Sequence, residues 1–170
     1  MEGFGMGWAA QRAAQIQEGL DNDAKRTAIL LEKRAIVANH SYGLWDSLVS
    51  HLETDTKEFA ASLPLAKEKN LQAVRLNANN LTIMTNAFPI IKFEILYSGR
   101  GVEGTLEETF SGLSETRTRK LRMIGFTVDH NLQPCFTDGE RHLAPSQLAE
   151  QLMERVAEFF EKASRLPSFL

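Results

Sequence analysis

Four histidines, one cysteine and one knot of basic residues are the side chains in this sequence whose chemistry could matter. Cys135 follows Pro134 and precedes Phe136 in an expected strand, with no histidine beside it. A nucleophilic cysteine needs an electropositive, partly exposed setting or a basic partner, so packing is the favoured role. His130 adjoins Asp129 in a turn sequence, and His142 lies between Arg141 and Leu143; neither neighbourhood makes a relay. His40 and His51 fall on one helical segment about three turns apart, too far along the axis to share a metal ion. His51 and Asp55 stand at helical spacing and could pair or ligate, although an exposed helix pair is the commoner outcome. The chain carries none of the spacings that mark zinc sites, phosphate loops, dinucleotide folds or nucleophile elbows. No catalytic residue, metal ligand or cofactor is therefore assigned.

Arg117, Arg119, Lys120 and Arg122 could contact a phosphate backbone, with Arg100 a further candidate neighbour. Strand alternation points Arg117 and Arg119 away from Lys120 and Arg122, however, and no aromatic residues are interleaved. A guard against sheet-to-sheet association on an edge strand explains the cluster better. The net charge of −3 adds no general attraction for nucleic acid or anionic membrane.

The residues that must position these groups start with an unusually long helical pattern over 8–63. Ala24, Ala28, Leu31, Ala35, Ala38, Tyr42, Trp45, Val49, Leu52 and Phe59 recur at steps of four and three, with Thr56 in the gap. That is a heptad seam. Leu30, Val37 and Leu44 form a second line, with Ile29 and Ile36 beside it. One domain can hardly cover both lines, so Leu30, Val37 and Leu44 are the expected contacts of a homodimer. An unbroken helix over 8–63 would be about 80 Å long, against a compact domain about half that across. A break is expected at Gly19, before the cap-type residues Asp21, Asn22 and Asp23, while Gly43 is read as tolerated.

After Pro64 the period changes to two. Strands are expected over 71–76, 81–85, 88–97, 102–110, 117–128 and 132–137, joined by turns rich in Asn, Gly, Ser and Asp. Hairpin-linked strands with no helix between them imply an antiparallel sheet. Pro145 is placed to open a last helix over 145–163, whose stripe includes Leu148, Leu152, Val156 and Phe159.

The whole is expected to be α+β and a single domain over 1–170: a loose arm over 1–7, helix over 8–63, a sheet of five or six strands over 71–138, then a helix and a tail over 164–170. Both helices are available to cover one face of the sheet. With 43% hydrophobic and 24% charged residues, the chain has the composition of an ordinary globular protein. A lone cysteine and the lack of a basic-then-apolar leader suggest the cytoplasm, and no run is apolar enough to span a membrane.

The function expected is non-catalytic, a homodimeric interaction or adaptor module assembled through the long helix. The competing readings are a nucleic-acid contact at the Arg117–Arg122 cluster and a small-ligand or enzyme pocket between sheet and helices, lined by Tyr42, Trp45 and Phe93. Fold alone does not choose among them.

Overall fold

The computed structural model describes residues 7–110 and 116–166. Residues 1–6 of the expected arm, the turn expected over 111–114 and the helix stop expected at Pro167 lie outside the described residues. Helix α1 (Trp8–Ser62) is followed by one turn, α2 (Pro64–Glu68), then eight strands and a last helix. The strands are β1 (Gln72–Asn77), β2 (Asn80–Met84), β3 (Ile90–Ser98), β4 (Gly101–Thr109), β5 (Thr116–Lys120), β6 (Ile124–Val128), β7 (Pro134–Thr137) and β8 (His142–Leu143). The last helix is α3 (Pro145–Ser164). All strand pairs are antiparallel, in the order β1-β2-β3-β4-β6-β7-β8, with β5 paired to β4 off this path.

The class is the expected α+β, with finer division in the sheet. The strand expected over 117–128 is two strands. Thr105–Thr109 of β4 pairs with β5, whereas Gly101 and Val102 pair with β6. Between them the Leu121 N–H still donates to the Gly104 carbonyl, at 2.8 Å, before the chain steps out of register. Gly101 allows the close approach of β6, because a Cβ there would collide with the Ile124 carbonyl oxygen. His142 and Leu143 add a short eighth strand on β7.

The core lies between the inner face of the sheet and the two long helices. β3 contributes Ile91, Phe93 and Ile95, all fully buried, at the alternate positions that a pleated strand turns to one side. β2 adds Leu81 and Ile83 in register with Ile95 and Phe93. From α1 come Leu44, Trp45, Leu48, Val49 and Leu52, and from α3 Leu148, Leu152, Val156, Phe159 and Phe160. Pro145 opens α3 as its sequence requires. Ala144 has no side-chain acceptor to cap the helix, but Gln147 Oε1 reaches back to accept the Ala144 N–H at 2.8 Å.

The expected break at Gly19 does not occur. α1 runs 55 residues without interruption. At both Gly19 and Gly43 the space around the missing Cβ is open, so neither glycine is there to admit a neighbour. Asp21, expected to cap a fresh start, instead accepts a hydrogen bond from Gln17 Nε2 one turn back, at 3.0 Å. A lone helical glycine costs only about 1 kcal/mol, too little to end a helix with strong formers on either side.

Candidate functional site

The uninterrupted helix creates the most unusual surface of the molecule. α1 is docked only from Ser41 onward; every residue over 7–35 is exposed, and Ile36 and Val37 are half-buried. Residues 8–40 therefore project from the domain as a rod about 50 Å long. Ile16, Leu20, Ile29, Leu30 and Leu31 are each more than half exposed on it, and Trp8 is 79% exposed at its tip.

Ile16, Leu20 and Leu31 share one face. Ala9, Ala13, Ile16, Leu20, Ala24, Thr27, Leu31, Ala35 and Ala38 follow at steps of four, three and four, and lead into Tyr42. This is an eleven-residue repeat, in which Ala9, Leu20, Leu31 and Tyr42 are equivalent, as are Ala13, Ala24 and Ala35. Such a period stays on one side of a nearly straight helix, unlike the heptad that takes over in the docked half. The stripe thus continues the face that the domain buries. Expecting a break at Gly19 hid its first half; the eleven-residue repeat was the signal that could have revealed it.

The expected dimer contacts separate. Leu44 is 9% exposed and belongs to the core, packed with Trp45 inside the same domain. Val37 is half-buried where the rod leaves the domain, and Leu30 is fully on the rod. A single domain covers both lines at Leu44 and Trp45, because the sheet and α3 wrap a broad arc of α1. Of the three residues, only Leu30 and Val37 remain for a partner.

Charge on the rod is divided into blocks. After Arg12, Glu18, Asp21 and Asp23 precede Ala24, while Lys25, Arg26, Lys33 and Arg34, with Glu32 among them, follow it. Among the described residues, none of these nine forms an ion pair within 4.0 Å.

The basic cluster is dispersed. Arg119 Nη2 donates to Glu108 Oε1 at 2.8 Å, and the Glu108 carboxylate is buried on the core face beside Leu106. Arg117 and Lys120 are exposed on β5, which among the described residues pairs only with β4. Arg122 lies beyond the end of β5, near Gly139. No common row of cations forms.

Tyr42, Trp45 and Phe93 are taken up by packing. Trp45 donates through Nε1 to the Ala78 carbonyl at 2.8 Å and stacks on Tyr97, with ring centroids 5.7 Å apart. Tyr42 meets Tyr97 edge-on, and the Tyr97 hydroxyl is 3.0 Å from Ser41 Oγ. Phe93 is wholly buried. A half-enclosed cavity does open between sheet and α3, with Ile95, Leu148, Arg122, Gln151 and Arg155 in its wall. Its volume is about 130 Å³, below the several hundred Å³ usual for a small-molecule site. A larger groove between α1 and α3 is open to solvent and carries Asp55, Glu58, Glu150 and Glu154. Burial pushes the Asp55 carboxyl above its ordinary range, as does the Glu58 charge; His51 acts the other way.

Cys135 is buried, and burial raises its thiol pKa, followed by the nearby Asp129 charge. A thiol held in its neutral form is a poor nucleophile. Asp129 Oδ1 accepts the backbone N–H groups of Gln133 and Asn131, which lowers its carboxyl pKa and fixes the hairpin. His40, His51, His130 and His142 are all exposed. Among the described residues no three His, Cys, Asp or Glu side chains stand close enough to hold a metal ion, and no described helix is long and apolar enough to cross a membrane.

A scan against protein-family models, a search of curated proteins and a search of solved structures return no significant match.

Proposed function

We propose that this chain is a non-catalytic interaction module that works as a homodimer, assembled through the projecting half of α1. The observation that carries this reading is the exposed stripe of Ile16, Leu20 and Leu31 on a helix that leaves its own domain. A rod of that length gains nothing from its own domain, and isolated helices in water are only marginally stable without a packed face. Contiguous exposed aliphatics on a soluble protein usually mark an interaction surface. A second copy is the most economical cover, since identical chains most often pair about a two-fold axis. The dispersed cations at Arg117, Arg119, Lys120 and Arg122 give the nucleic-acid alternative little support. The small cavity does the same for a ligand or enzyme pocket.

The test is sedimentation equilibrium of the wild-type chain and of a Leu20→Glu, Leu31→Glu double variant, with circular dichroism of each. The expected result is a wild-type dimer and a variant monomer with an intact domain. A wild-type monomer at tens of micromolar, or a variant that remains a dimer, would sink the proposal.

A further inference from the structure

We infer that the cavity between the sheet and α3 is a binding site for a small monocarboxylate whose apolar body is no larger than a benzene ring. The inference goes beyond the dimer reading and does not rest on it. The cavity lies where β4 changes partner. Thr105–Thr109 of β4 pairs with β5, Gly101 and Val102 pair with β6, and Leu121 is tied to Gly104 at the step between them. Gly104 has no side chain to fill that step, and a Cβ there would meet Leu121 Cδ1 at 3.1 Å. Over the step lies α3, with a hollow beneath it walled by Ile95, Val102, Leu121, Ile124, Leu148 and Leu152. At about 130 Å³ the hollow is too small for a metabolite-sized ligand, which is why it speaks little for an enzyme. It is nevertheless close to the volume of about 150 Å³ at which an apolar protein cavity takes up one benzene molecule.

The polar part of the wall consists of Arg122, Gln151 and Arg155. Gln151 and Arg155 stand four apart on α3 and so share a face. Among the described residues Arg122 forms no ion pair within 4.0 Å. Its Nη2 lies by the turn at Gly139, where a Cβ would stand 3.2 Å from it. Arg155 has Glu158 at 3.8 Å, a loose pair with both side chains partly exposed. Two guanidiniums with donors to spare, beside an apolar hollow, suit an anion that carries an apolar body. A planar carboxylate matches the guanidinium fork, and the Gln151 amide supplies a further donor. A neutral guest would leave those donors unused, and a bare inorganic anion would leave the hollow unfilled. Among the described residues the wall holds no Asp, Glu, His or Cys side chain, so it offers neither a base nor a nucleophile. The role is binding. A guest would touch β3, β4 and α3 at once, and would therefore stabilise the folded domain.

Benzoate is the probe, titrated into the whole chain and followed by thermal melting and by amide resonances in two-dimensional NMR. Millimolar benzoate should raise the melting midpoint and shift the Val102, Leu121, Ile124 and Leu152 amides. Acetate has the charge without the body, benzyl alcohol the body without the charge, and naphthoate a body too large. Each should bind on the order of ten-fold more weakly than benzoate. Arg122→Gln with Arg155→Gln, both away from the core, should weaken benzoate by on the order of ten-fold and leave benzyl alcohol unchanged. Ile124→Phe puts a larger side chain into the hollow and should abolish benzoate binding; where that variant does not fold, the glutamine pair still decides. Benzoate that binds no more tightly than acetate would put the anion on surface cations alone and overturn the proposal. So would benzoate that binds the glutamine pair as tightly as the wild type, or that moves neither midpoint nor resonances at tens of millimolar. None of these readouts depends on oligomeric state, so their failure leaves the dimer reading standing.

Discussion

At the scale of single residues, several charged groups hold the fold together. Arg119 is the clearest case, because its guanidinium reaches across to a Glu108 carboxylate that the core has nearly enclosed. Removing the arginine leaves that carboxylate buried without its donor. Arg119→Ala should therefore cost about 1–3 kcal/mol in a denaturant melt, whereas Arg117→Ala, on the same strand but exposed, should cost less than about 0.5 kcal/mol. Glu108→Gln in the Arg119→Ala background should recover part of the loss; no recovery would mean that the arginine acts through packing of its stem. The sequence shows the basic cluster and the alternation that splits it. It does not show the acceptor, since the contact depends on the β4–β5 register, which sets Glu108 opposite Arg117 and diagonal to Arg119. The buried setting of Cys135 was legible, by contrast, because its apolar neighbours are adjacent to it.

At the scale of elements, long periodic segments were readable and interruptions were not. α1, α3 and the hairpins of the sheet follow from period and turn chemistry. The step between β5 and β6 does not, because it depends on a close approach at Gly101 that only the folded pairing creates. Gly19 shows the same limit from the other side, since a glycine followed by cap-type residues resembles a helix break until the strength of the flanking turns is weighed. The continuous helix makes a specific prediction. A Cβ at Gly43 meets no other atom within 4 Å, so Gly43→Ala should stabilise the protein by about 0.5–1 kcal/mol. Gly19→Ala should raise helical content without moving the domain's own unfolding transition, because that part of the rod contributes nothing to the core. A destabilised Gly43→Ala variant would mean that the helix is not continuous there.

At the scale of the whole molecule, α1 is divided between a docked half that builds a core and a projecting half that does not. Among the described residues the hydrophobic core begins at Leu44, with Ser41 the first residue of α1 to be buried. A chain beginning at residue 35 should therefore fold with the cooperativity and midpoint of a wild-type monomer, measured by chemical denaturation under dissociating conditions. A shortened chain that fails to fold would show that the rod is needed for the domain itself. The α+β class was legible because it needs only element order. The candidate surface was legible in part: the heptad seam marks the face of α1 that the domain buries from Trp45 onward, whereas the second line divides, with Leu44 in the core and Leu30 exposed on the rod. Burial is a property of the assembled sheet, and the pattern of one helix cannot reveal where that sheet stops covering it.

The absence of a joint in α1 also fixes a length. From Trp8 to Ser41, where the domain begins, the helix rises about 50 Å. With no hinge between them, the tip of the rod stands at a set distance and heading from the domain, where a flexible linker of the same number of residues would let it wander.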